Sequence, residues 1–83
     1  MYNPTIKTKV TFAKEDGVLL AVFPQIPFDK AGNLTGYHGL EGHVPVQKEY
    51  ALTLDKAGEN EFKQFKHLLE TAIGYGPLKV VAL

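Results

Sequence analysis

The chain opens with two segments whose apolar positions predict neighbouring β-strands. From Ile6 to Phe12, apolar and polar side chains alternate, as they do in a half-buried strand, and Val18 to Phe23 is a continuous apolar run. Between them, Asp16-Gly17 favours the two-residue type I′ turn of an antiparallel hairpin. This turn predicts three cross-strand pairs. They are Ala13 with Leu20, Phe12 with Ala21 and Val10 with Phe23.

Prolines and glycines interrupt the middle of the chain. Residues 24–36 are predicted to form a long loop, since they contain several of these turn-forming residues. In residues 37–46, Gly39 and Gly42 weaken a strand, and Pro45 has no N–H to donate to a neighbouring strand. We interpret this segment as an irregular or edge strand.

The segment from Gly58 to Ile73 has the periodicity of an amphipathic helix. Gly58 is a suitable N-cap, and Gly74 suits the left-handed residue that follows a helix. Residues 78–83 are predicted to form a final strand. The fold class is therefore α+β, a single domain over residues 1–83 with the order ββ(β)αβ, in which one helix covers one face of a small antiparallel sheet.

A single helix leaves the second face of this sheet uncovered. Leu20 and Val22 point away from the predicted core face, as do Val81 and Leu83 or their alternates in the last strand. Three candidates can cover them, namely the loop over residues 24–36, a second copy of the chain, or another protein. We therefore expect self-association, as a dimer or larger.

Composition removes several classes of function. The sequence contains no Cys, Trp, Ser or Arg, which excludes thiol and serine nucleophiles and the bidentate guanidinium contacts that read guanine or phosphate. Its basic and acidic residues number nine each, so no basic field attracts nucleic acid. No apolar run approaches the ~20 residues of a membrane-spanning helix. We expect a cytoplasmic protein that binds neither nucleic acid nor membrane.

The densest polar constellation comprises Tyr37, His38, Glu41, His43 and, farther along, Tyr50. On an extended segment His38 and His43 have opposite parity and point to opposite faces, so they form no common metal site. No cofactor motif is present, and adjacency in sequence does not bring His38 or His43 within hydrogen-bond reach of Glu41. The expectation is a non-enzymatic protein without metal or cofactor.

These same residues are the candidate binding site. They lie among Gly and Pro positions on a loop or edge, where binding residues concentrate, and Tyr and His supply amphipathic contact area. The alternative is that half-buried Tyr and His serve packing. In that case the site lies on the sheet face around Leu20 and Val22.

Four stretches carry a resemblance to a known group. They are T-K-V-T-F at 8–12, A-V-F-P-Q-I at 21–26, Tyr37 with Gly42-His43, and E-F-K-Q-F-K-H-L-L-E-T-A-I-G-Y at 61–75. Together they resemble short uncharacterised proteins of phages and mobile elements of gut bacteria. That group shows Gly-Gln-His where this chain has Glu41-Gly42-His43, so only Tyr37 and His43 carry over. The resemblance implies an origin rather than an activity.

The leading hypothesis is a small accessory protein of a phage or mobile element that binds another protein, such as a host defence or regulatory factor. The alternative is an oligomeric module that sequesters a metabolite or signal in a pocket around residues 37–43. A flat apolar patch favours the first, and a deep concave site at a subunit boundary, lined by His43 and Tyr residues, favours the second.

Overall fold

The computed structural model describes residues 7–83, so Ile6, at the start of the first predicted strand, lies outside the described residues. A six-stranded sheet forms the centre of the fold. Its strands, with two helices between them, follow in the order β1 (Thr8–Glu15), β2 (Val18–Pro27), β3 (Leu34–His38), β4 (Gly42–Val46), α1 (Lys48–Thr53), β5 (Asp55–Lys56), α2 (Glu59–Glu70) and β6 (Leu78–Val80). The predicted α+β class is confirmed.

The predicted hairpin forms with the predicted register. Phe12 pairs with Ala21 and Ala13 with Leu20. Asp16 and Gly17 have φ angles of 50° and 81°, which are the positive values that a type I′ turn needs. The local turn chemistry therefore sets the pairing of β1 with β2.

The middle of the chain is more regular than predicted. β2 continues to Pro27, with a shift of register between Phe23 and Pro27, so the predicted loop over residues 24–36 shrinks to residues 28–33. A bulge of this kind accommodates proline within a strand. Residues 37–46 belong to a second hairpin, β3–β4, and of these two strands β4 lies at the edge of the sheet. The strand order is β4-β3-β2-β1-β5, with β6 parallel to β1.

One glycine in β3 is required by packing. A Cβ atom at Gly36 would lie 2.5 Å from Val46 Cγ2 on β4 and 3.3 Å from the carbonyl oxygen of Ala21 on β2. Because Gly36 has no side chain, the Val46 side chain of β4 can pack against β3 at this position.

The sheet has an apolar core on each face. Helix α2 covers the first face with Phe62, Phe65 and Leu69, as its periodicity predicts. Phe12 and Phe62 stack with their ring centroids 4.4 Å apart. The helix ends at Glu70, three residues before the predicted end at Ile73, and Gly74, with a φ of 96°, adopts the left-handed conformation in the turn that follows. This face is the largest part of the hydrophobic core.

The second face is covered within the same chain, in part by the short helix α1, which corrects the expectation that this face stays uncovered. Ala51 of α1, Val46 and Leu83 belong to the apolar cluster that buries Leu20 and Val22, which are 2% and 0% exposed. Leu34, at a position predicted to lie in the loop over residues 24–36, also packs against this cluster, but it does so as the first residue of β3. The apolar surface from which self-association was inferred is therefore buried within one chain, and the dimer stays an untested prediction.

Over residues 7–83, neither helix is long and apolar enough to cross a membrane.

Candidate functional site

The structure divides the predicted site residues between the two faces of the sheet. Tyr37 pairs with His43 across β3 and β4, and both side chains lie on the α2 face. His38, Glu41 and Tyr50 line a cleft of about 430 Å³ on the opposite face. The predicted separation of His38 from His43 by strand parity is confirmed.

Tyr37 packs against the core beneath α2, and the exposed His43 lies against Tyr37. The His43 ring meets Tyr37 edge to face at a centroid distance of 4.9 Å, and its Nε2 lies 2.8 Å from the Tyr75 hydroxyl oxygen. Tyr75 in turn stacks on Phe23 at 4.3 Å, and burial raises the pKa of its hydroxyl. Packing contacts thus account for both residues.

The cleft on the α1 face is formed by segments distant in sequence. Glu15 comes from the end of β1, His38 from the end of β3, Glu41 from the β3–β4 turn, and Gln47 and Tyr50 from the start of α1. Its remaining lining residues have apolar side chains. These are Leu20, Val44, Pro45 and Val46. The cleft therefore combines polar walls with an apolar floor.

His38 is held at the base of the cleft by the turn that follows it. The backbone N–H groups of Leu40 and Glu41 donate to His38 Nδ1, at 3.1 and 3.2 Å. Because Nδ1 is an acceptor, the neutral imidazole carries its proton on Nε2, which lies 3.4 Å from Glu15 Oε1. The ring is 7% exposed, so these contacts fix both its orientation and its tautomer.

Glu15 receives a second donor from α1. The Tyr50 hydroxyl donates a hydrogen bond to Glu15 Oε2. This bond, with smaller effects of desolvation and of the Glu15 and Asp16 charges, raises the pKa of the Tyr50 hydroxyl. The Glu15 carboxylate is thus held between an imidazole and a phenol, while its remaining lone pairs are free to accept from a ligand.

The charges around the cleft have one sign. Glu15 and Glu41 are acidic. Among residues 7–83, no lysine lines the cleft. His38 Nδ1 accepts two backbone N–H groups and is therefore not exposed as a base, while Nε2 lies against Glu15. Chemically, the cleft suits a cationic group attached to an aliphatic stem.

No set of three His, Asp or Glu side chains within residues 7–83 is placed to hold one metal ion. His38 and His43 cannot share one, since they lie on opposite faces of β3 and β4.

Glu15 and Tyr75 were missed by sequence reasoning. Glu15 lies two residues beyond Ala13, which is in the same cross-strand row as Leu20 and His38. Because alternate residues of a strand share a face, Glu15 lies on the same face as Ala13 and therefore on the same face as His38. The signal was available in the hairpin register, but using it required knowing that β3 lies beside β2.

Comparison of the chain with protein-family models, with curated proteins and with solved structures finds no match.

Proposed function

We propose that this chain is a small non-enzymatic accessory protein that binds another protein by accepting a Lys or Arg side chain in the cleft beside His38. In keeping with the resemblance, we assign its origin to a phage or mobile element and its place of action to the cytoplasm. The observation that carries the proposal is the Glu15 carboxylate, oriented by His38 and Tyr50 above an apolar floor.

Pre-organisation of the carboxylate supports this role. Glu15 is held from two sides, so it loses little side-chain freedom when a cation binds. Glu41 adds a second negative charge at the cleft, and Leu20 and Val46 offer contact to the methylene groups of a long basic side chain. A hydrogen bond between a carboxylate and a cation is stronger than one between neutral groups.

The surroundings of the cleft favour a protein over a free ion. Leu40, next to the cleft residue Glu41 in the β3–β4 turn, is 80% exposed, and Tyr50, which lines the cleft, is 45% exposed. Apolar and aromatic side chains around a polar pocket exclude water from it when a partner docks. A partner surface that covers Leu40 and Tyr50 would therefore strengthen the contact between its basic side chain and Glu15.

Selection from a displayed random peptide library tests the proposal. The wild-type protein is expected to enrich peptides with a Lys or Arg beside apolar residues. Glu15→Gln removes the charge at nearly constant shape, so it is expected to lose this enrichment. Glu59→Gln, on α2 at the opposite face, is the matched control and is expected to retain it. Absence of basic residues from every enriched set of peptides, or enrichment of basic peptides that Glu15→Gln leaves unchanged, would contradict the proposal.

The second candidate is an oligomeric module that sequesters a small molecule. It is favoured by the cleft volume of about 430 Å³, since small-molecule sites commonly span ~300–1,000 Å³. The chemistry of the cleft makes an alkylamine the expected ligand. Calorimetric titration with a linear diamine, together with light scattering of the same sample, separates the candidates. Tight diamine binding by an oligomer favours sequestration, whereas binding of peptides alone favours a protein partner.

A further inference from the structure

A second groove lies on the α2 face, away from the cleft. It has a volume of about 860 Å³ and runs between helix α2 and strand β6. Its polar wall on the helix includes Lys63, Lys66 and His67, and its opposite side includes Lys7 and Lys79. None of these residues takes part in the proposed function of the cleft.

The groove runs along an open strand edge. Within residues 7–83, β6 has a single partner, β1. The Pro77 carbonyl accepts from Thr8 N–H and the Val81 N–H donates to the Val10 carbonyl, so backbone groups of odd-numbered residues face β1. In a parallel ladder the even-numbered residues then direct theirs outward. Leu78 and Val80 therefore present backbone groups to the groove.

One of these outward groups is already satisfied. The Leu78 N–H donates to Glu70 Oε2 at 2.8 Å, and the same carboxylate oxygen lies 3.3 Å from Lys66 Nζ. These contacts, with the backbone N–H as the larger cause, lower the pKa of Glu70. Val80 N–H and C=O, and the Leu78 C=O, remain on the outer edge. They match the donors and acceptors of an added extended strand.

The charges of the groove select the chemistry of that strand. Four lysines and two glutamates, Glu59 and Glu70, line the groove, so its lining has an excess of two positive charges. Phe62, Leu78 and Val80 provide an apolar floor, and Val80 is 44% exposed. A strand with acidic side chains on one side and an apolar side chain on the other would satisfy both features.

We infer that the groove between α2 and β6 binds an extended acidic segment of a partner protein, which adds to the sheet beside β6. The segment accepts a hydrogen bond from the Val80 N–H and donates one to the Val80 carbonyl. Its carboxylates lie against Lys7, Lys63 and Lys79, and its apolar side chain contacts Phe62. Because the cleft and the groove lie on opposite faces, occupation of one leaves the other accessible.

Fluorescence anisotropy with a short labelled peptide of alternating Glu and Val tests this inference. We expect saturable binding that weakens as ionic strength rises, since salt screens the lysine charges. The double variant Lys63→Glu with Lys79→Glu is expected to weaken binding by roughly tenfold or more. Lys48→Glu, on α1 at the opposite face, makes a charge change of the same kind and is expected to leave binding unchanged.

Two further probes separate strand addition from simple charge attraction. The same peptide N-methylated at alternate residues keeps its charge but loses backbone donors, and it is expected to bind more weakly. A single-stranded oligonucleotide is expected to bind no better than this methylated peptide. Equal binding of the methylated and unmethylated peptides, or tighter binding of the oligonucleotide, would overturn the inference. So would a dimer that excludes the peptide and dissociates in the Lys63→Glu, Lys79→Glu variant, because it would assign the groove to a second copy.

Discussion

His38 Nε2 lies 3.4 Å from Glu15 Oε1, although their strands, β3 and β1, are separated by β2. The contact reaches across β2 at the end of the sheet where both hairpin turns lie. It joins the first hairpin to the second, and the Tyr50 hydroxyl attaches α1 to the same carboxylate. Three parts of the chain thus meet at one acidic side chain.

The first prediction concerns the acceptor role of His38. His38→Phe keeps an aromatic ring but leaves the N–H groups of Leu40 and Glu41 without Nδ1 as their acceptor. We expect the free energy of unfolding to fall by ~1–3 kcal/mol in urea denaturation. His67→Phe, on the exposed side of α2, is the control and should change it by less than about 0.5 kcal/mol. Equal losses for the two variants would contradict the role assigned to Nδ1.

The second prediction concerns the titration of Tyr50. Its pKa is raised above its usual value mainly by the hydrogen bond to Glu15, so Glu15→Gln is expected to lower it. A raised pKa stabilises the folded state below the unfolded value of about 10, and this contribution is lost as pH rises through the folded pKa. NMR titration of ring-labelled tyrosine measures the shift. An unchanged Tyr50 titration in Glu15→Gln would show that the bond is not formed in solution.

The third prediction concerns the close approach of β4 to β3. Gly36→Ala places a methyl group against Val46 Cγ2, and we expect a loss of about 1–3 kcal/mol in the free energy of unfolding. Val46→Ala removes the clashing atom, so the double variant should be more stable than the sum of the single losses predicts. Denaturation of all four proteins in a double-mutant cycle measures this coupling. Additive losses would refute the contact.

The fourth prediction concerns acid stability. The Leu78 N–H and Lys66 lower the pKa of Glu70, so its contribution is complete above the unfolded value of ~4.3 and is lost as pH falls through the folded pKa. Glu70→Gln is therefore expected to flatten the dependence of stability on pH below that value. Glu49→Gln, at an exposed position of α1, is the control and should keep the wild-type dependence of stability on pH. A slope unaltered by Glu70→Gln would contradict the prediction.

The fifth prediction separates packing from binding among the aromatic residues. Tyr37 contacts His43 and lies 6.0 Å from Phe65, ring to ring, so Tyr37→Ala should destabilise the protein by ~2–4 kcal/mol. Tyr50→Phe should cost much less, because Tyr50 is exposed, yet it should reduce enrichment of basic peptides. Thermal unfolding and peptide selection measure the two effects. The reverse pattern would move the site to the α2 face.

The parts of the fold that depend on local sequence could be predicted. Asp16-Gly17 determines both the turn and the register of the first hairpin, and the spacing of Phe62, Phe65 and Leu69 defines the buried face of α2. Helix α1 could not be predicted in this way. It is six residues long and buries only Ala51. A helix this short shows no repeat of apolar positions along the sequence.

Pairings between distant segments also escaped prediction. The β3–β4 turn has no standard pair of turn residues at its centre, so the sequence did not predict it. The His38 imidazole stabilises it instead by accepting the N–H groups of Leu40 and Glu41. Strand parity was sufficient to separate His38 from His43. It was not sufficient to place Glu15 beside His38, since that neighbourhood exists only after β3 has joined β2.

The parallel pairing of β1 with β6 also affects the order of folding. Thr8 pairs with Leu78 and Val10 with Val80, so this contact closes a loop of nearly the whole described chain, whereas β1 to β4 pair between consecutive strands. During synthesis the residues of the four-strand meander leave the ribosome before those of β6. Closing so long a loop costs chain entropy that neighbouring strands avoid. The first half of β1 therefore keeps one edge open until β6 has been made.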